Sequence, residues 1–151
     1  MNDVRPKYKK EKKVALFVDG PNMLRKEFMI DLRELKRGLK RFGRLMIAKV
    51  FINQFAPEKL IEAIMNEGFE AVMVLTEEEE NATDVDVHLA ISVIETVLIR
   101  DVDVIAIASR DADFIPVIQK AKEYGKKVIV LGADPGFSAG LKNAADYVVK
   151  L

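Results

Sequence analysis

The 151-residue chain has no cysteine and no tryptophan, a single histidine (His88), and few aromatics, eight Phe and three Tyr. Without cysteine there are no disulfides, no thiolate metal centres and no cysteine nucleophile, which fits a reducing cytosol. No apolar run reaches the about 18 residues that a membrane-spanning helix needs, so no membrane partner is expected. The N-terminal stretch carries Lys7, Lys9, Lys10, Lys12 and Lys13 with no apolar segment before the first strand, unlike a secretory signal. The expected location is cytoplasmic. An excess of one charge sign is also missing, since 24 basic residues meet 24 acidic ones. That balance hides an asymmetry. Residues 1–50 hold 15 Lys and Arg against 6 Asp and Glu, a net of +9, and the remainder carries −9. A basic surface beside an acidic one points to a polyanionic partner, or only to a well-solvated exterior.

Half the residues are apolar and about a third are charged, the balance of one ordinary globular domain. Residues 1–13 read as a flexible basic tail and 14–151 as the domain. Strands are expected at 14–19, 45–52, 71–75, 103–108, 128–131 and 147–149. Helices are expected at about 22–41, 57–67, 84–99 and 113–124, with a short one after Ser138. This alternation predicts a single doubly wound α/β sheet, five- to six-stranded and mostly parallel, with helices on both faces. Right-handed crossovers favour strand order 3-2-1-4-5, which sets strands one and four side by side.

Those two strands carry the chemistry. Val14-Ala-Leu-Phe-Val-Asp19-Gly-Pro-Asn22 and Val104-Ile-Ala-Ile-Ala-Ser109-Arg-Asp111-Ala-Asp113-Phe114 are apolar runs that end in carboxylates at a turn into a helix. Open α/β sheets bind ligands outside the carboxyl ends of their strands, where strand order reverses. Asp19, Asp111 and Asp113 would converge there, and such a cluster calls for a divalent cation. At 100° per residue, Asp86 falls on the line of Ala90, Val93 and Val97, whereas Asp84 lines up with His88, Ile91 and Glu95. Asp86 therefore points inward, either to the helix's own N-terminal amides or to the crevice. His88 reads as a half-exposed helix residue, and Glu77 to Glu80 as a solvated loop.

Val-Asp19-Gly-Pro-Asn22, the Asp86-Val-His-Leu-Ala helix, Ser109-Arg-Asp111-Ala-Asp113-Phe114 and Ser138-Ala-Gly-Leu141 with Ala145-Asp146 resemble, in this order, the motifs of the NYN domain. That family belongs to the PIN-like ribonucleases. The resemblance implies a Mg²⁺- or Mn²⁺-dependent endoribonuclease acting on RNA, with Asp19, Asp86, Asp111 and Asp113 as its carboxylates. Asp19 and Asp111 are then the principal ligands, and Asp113 and Asp86 hold waters of the ion's shell or a second ion. Asn22 and Ser109 would orient the carboxylates as hydrogen-bond donors, and for Ser109 a turn hydrogen bond serves equally. Two positions depart from the family pattern. Thr83-Asp84-Val85 stands where Lys-Gly-Val is frequent, and Ser92 replaces a second helix Asp.

Arg33, Lys36, Arg37, Lys40, Arg41 and Arg44 recur at three- and four-residue spacing, as a stripe that would contact phosphates or simply face solvent. Arg25 lies nearer the proposed metals. Phe42 is the only aromatic within the stripe, so sequence-specific reading by base stacking is not expected. Other α/β sites fit poorly. A haloacid-dehalogenase-type phosphatase needs an acid where Pro21 stands, a receiver domain needs one after Leu75-Thr76, and a Rossmann nucleotide site needs more glycine than Asp19-Gly-Pro-Asn22 offers. The remaining alternative keeps the fold as an RNA-binding or regulatory module with little catalysis. Such a chain could also pair as a homodimer.

Overall fold

The computed structural model describes residues 11–24, 31–78 and 83–151. Strand β1 (Lys13–Asp19) leads through a short helix α1 (Gly20–Met23) to helix α2 (Leu32–Leu39) and a 3₁₀ turn at Lys40–Phe42. There follow β2 (Arg44–Asn53), α3 (Glu58–Asn66), β3 (Glu70–Val74), α4 (Thr83–Ile99) and β4 (Val104–Ala108). A 3₁₀ turn at Ala112–Phe114, α5 (Ile115–Glu123), β5 (Lys127–Gly132), α6 (Ala139–Ala144) and β6 (Tyr147–Lys150) complete the chain. The six strands form one sheet in the order β3-β2-β1-β4-β5-β6, and every pairing is parallel.

Alternate residues of each strand feed two cores, as a period of two requires when both faces are covered. Ala15, Phe17, Ile105, Ile107 and Val130 pack under α4, α5 and α6, with Leu89, Val93 and Ile118. Val14, Leu16, Val18, Ala106 and Ile129 pack against α2 and α3, with Leu35, Leu39 and Ile64. Each fully buried Leu, Ile or Phe in these layers contributes about 1.5–3 kcal/mol. The result fixes β1 and β4 as central neighbours and aligns their C-terminal ends.

The expected helix over 22–41 is corrected. Asp31 is extended, and its carboxylate accepts the Arg33 N–H at 2.8 Å, so a new helix starts at Leu32. Arg25 lies outside the described residues, as do residues 1–10 of the expected tail. Lys12 and Lys13, assigned to that tail, join the domain: Lys13 opens β1, and the Lys12 carbonyl accepts the Arg44 N–H at 2.8 Å. Of the acidic loop at 77–80, only Glu77 and Glu78 fall among the described residues.

Candidate metal centre

Asp19 is the last residue of β1, and only 1 % of it is exposed. The turn after it can hug β2 because residue 20 is glycine. A Cβ there would stand 2.4 Å from the Phe51 carbonyl oxygen. One strand over, Ser109 follows β4 and is wholly buried. Its hydroxyl donates to Asp19 Oδ2 at 3.0 Å and accepts the Asp111 N–H at 3.2 Å. One side chain thus ties the ends of both central strands together. Asp111 in turn caps the 3₁₀ turn, its Oδ1 accepting the Asp113 N–H at 2.9 Å.

From the other side, the first turn of α4 brings in Asp86. Val85, Leu89 and Val93 anchor the helix in the core, and this phase directs Asp86 into the crevice. One carboxylate oxygen from each of Asp86, Asp111 and Asp113 lies within 4.8 Å of the others. Two oxygens bound to one cation at about 2.0–2.6 Å each stand no more than about 5 Å apart, so this triad can hold a metal ion. Asp86 Oδ1 and Asp19 Oδ1 are buried and accept no hydrogen bond among the described residues. A buried carboxylate oxygen without a donor needs a proton or a cation. Hard oxygen donors, two of them orphaned, fit a hard divalent ion.

The electrostatics agree. Burial pushes the Asp19 carboxyl up to about 6 against the opposing hydrogen bond from Ser109, and the Asp111 charge adds to the rise. Burial, then the charges of Asp19 and Asp111, push Asp86 up to about 8. Several carboxyl groups in one crevice cannot all ionise cheaply, and Asp86 is raised further than Asp19.

Asn22 sits beside this site in an unexpected role. Its side-chain oxygen accepts the backbone N–H of Arg110 at 3.0 Å and the Arg110 Nε–H at 3.3 Å. The side chain therefore acts as an acceptor that clamps the turn after β4, and does not donate to a carboxylate. Arg110, marked in the sequence only by its place in Ser-Arg-Asp, also donates to the carbonyls of Asn22 and Pro135. The loops after β1, β4 and β5 meet on that guanidinium. His88 is exposed and lines a depression with Asp84 and Leu75.

Among the described residues of the basic stripe, Arg33 and Lys36 have partners of their own. Arg33 pairs with Asp31 at 3.2 Å, and the Lys36 ammonium donates to the Glu67 carbonyl and lies 5.0 Å from the centre of the Phe69 ring. Only Arg33, Lys36 and Arg37 lie on α2. Lys40 and Arg41 lie in the 3₁₀ turn, and Arg44 starts β2 in register with Lys13. The expected helical stripe is thus divided, and its later members sit at the pole of the sheet opposite Asp19.

The family description "NYN domain" matches residues 13–151. The chain belongs to the NYN domain family. The uncharacterized protein MJ0482 of Methanocaldococcus jannaschii is 52% identical over 145 residues, which are 96% of this chain and 58% of that protein. The chain thus spans little more than half the length of this relative. A crystal structure of a protein of unknown function, VPA0982 from Vibrio parahaemolyticus, superposes with a TM-score of 0.78 at 24% identity, covering 93% of each chain. That likeness bears on the fold, and the parallel order agrees with the PIN-like placement of the NYN domain.

Proposed function

We propose that this NYN domain is a metal-dependent endoribonuclease that hydrolyses RNA phosphodiester bonds at the crevice between β1, β4 and α4. The observation that carries the reading is the meeting of Asp86, Asp111 and Asp113 within 4.8 Å, beside the orphaned oxygen of buried Asp19. In place of the expected principal pair Asp19 and Asp111, we assign Asp86, Asp111 and Asp113 as the residues that would hold Mg²⁺ or Mn²⁺, with Asp19 closing the inner wall. Such an ion neutralises charge on the phosphate and lowers the pKa of bound water. Asp86 would have to be ionised to hold such a cation, since a ligating carboxylate is deprotonated. Ser109 fixes Asp19, Asn22 and Arg110 hold the turn that carries Asp111, and exposed Asp113 faces the arriving strand. RNA is the proposed partner and the cytoplasm the proposed location. Pairing as a homodimer is compatible with this reading.

A second reading, an RNA-binding or regulatory module with weak catalysis, is favoured by Ser92. It lies six residues beyond Asp86 in α4, about 9 Å along the axis, and brings no carboxylate where many relatives of this type have one. End-labelled structured and single-stranded RNA, incubated with Mn²⁺, Mg²⁺ or EDTA, separates the two. Fragments that form with either ion and not with EDTA support the nuclease. Intact RNA under all conditions supports the module.

A further inference from the structure

We propose that the pole of the sheet opposite the carboxylates holds a separate binding site for single-stranded RNA. The starts of the strands there surround a cavity of about 420 Å³ lined by Lys12, Arg41, Lys126 and Lys127, with Phe42 and Tyr147 in its wall. Four cations meet one carboxylate, Asp103, whose Oδ2 already accepts the Lys13 N–H at 2.8 Å. Exposed Lys40 and Arg44 extend the positive surface at the same end. These are the later members of the basic stripe, which the carboxylate crevice leaves without a role.

The aromatic component decides the class of ligand. Phe42 stands alone in the sequence, but the fold brings Tyr147 to it with ring centroids 5.1 Å apart and planes tilted by 52°. The Arg41 guanidinium lies 4.7 Å from the centre of the Phe42 ring, and Tyr147 is 47% exposed. A bare phosphate has no use for a ring platform, and a duplex keeps its base faces covered. Cations tracking a backbone beside stacking rings suit an unpaired strand, and stacking of this kind is tolerant of sequence. Gly43 has φ 148° and packs so tightly that a Cβ would lie 2.3 Å from the Lys12 carbonyl oxygen, which fixes Lys12 beside Arg41 and Phe42. Lys126 is anchored through its ammonium to the Val102 carbonyl at 2.7 Å. β1 is seven residues long, so the two poles lie about 20 Å apart, beyond a Debye length of about 8 Å. The site stands whether or not the carboxylates cut RNA.

The test is fluorescence anisotropy of labelled 12-nucleotide oligo(A) and oligo(U) RNA with the full chain, in EDTA so that metal-dependent cleavage does not interfere. The variant Arg41→Gln/Lys126→Gln/Lys127→Gln should bind at least about tenfold more weakly. Its plot of log affinity against log salt should flatten by about 2, at about 0.7 per lost phosphate contact on a single strand. Tyr147→Ala should lose about fivefold or more with the salt slope retained, and Tyr147→Phe should restore it. Should the triple variant not fold, Arg41→Gln/Lys127→Gln carries the same forecast with a flattening of about 1.4. Unchanged affinity and slope in a folded charge variant would overturn the proposal. So would inorganic polyphosphate that binds as tightly as RNA together with a neutral Tyr147→Ala, because the cavity would then recognise phosphate alone.

Discussion

Replacing Asp86 with Asn should stabilise the metal-free protein, and only above the pH at which the unfolded carboxyl ionises. The folded Asp86 carboxyl is pushed from an ordinary 3.8 up to about 8, by burial first and then by Asp19 and Asp111. Between those values the unfolded chain has lost this proton and the folded chain keeps it. Stability therefore falls as pH rises through that window, and the contribution vanishes below about pH 4. At pH 7 the difference spans about three units, or ~4 kcal/mol at 1.36 kcal/mol per unit. The crevice is partly open to water, so screening reduces this to roughly 2 kcal/mol. An Asn amide has nearly the same shape and carries no charge at any pH. Thermal unfolding in EDTA should show no gain for Asp86→Asn near pH 4 and a gain of roughly 4–8 °C near pH 8, given about 2–4 °C per kcal/mol at this chain length. With Mn²⁺ the order should narrow or reverse, since the wild type gains more from a ligand that binds only the folded state. A variant no more stable at pH 8 than at pH 4, relative to wild type, would refute the reasoning.

Ser109→Ala removes the donor to buried Asp19 Oδ2. It should cost about 1–3 kcal/mol in denaturant unfolding and raise the Asp19 carboxyl further above about 6, as read by carboxyl NMR titration. An unmoved titration would mean that another group holds Asp19. Gly20→Ala forces a Cβ to within 2.4 Å of the Phe51 carbonyl. A loss of about 1–3 kcal/mol is expected, and a change under about 0.5 kcal/mol would show that the turn yields easily.

The sheet was legible because its central strands are uninterrupted apolar runs, and because the handedness of crossovers leaves few orders to choose from. Asp19, Asp111 and Asp113 were legible as strand-end acids, and Asp86 by its phase against Val93 and Val97. The helix expected over 22–41 runs past its true start because helix formers continue up to Asp31, which reads as a surface acid until its cap is seen. The same continuity made Lys40 to Arg44 look helical, although the chain there passes through a 3₁₀ turn into β2. Local spacing does not encode contacts between distant loops. The tight grouping of Asp86 with Asp111 and Asp113, the Arg110 clamp and the meeting of Phe42 with Tyr147 all depend on which strands lie side by side.

The most direct test of the nuclease centre is single-turnover cleavage of a labelled RNA by wild type and by Asp111→Asn, each with Mn²⁺ and with EDTA. Asp111 is the link, since it joins the triad, receives the Asp113 N–H and donates its own N–H to Ser109. Its Asn variant keeps the shape, accepts the same cap hydrogen bond and relieves like-charge repulsion, so it should stay folded. Metal-dependent cleavage by wild type that falls by at least about a hundredfold in a folded Asp111→Asn is the predicted result. Equal cleavage by both proteins, or cleavage that EDTA leaves untouched, would contradict it.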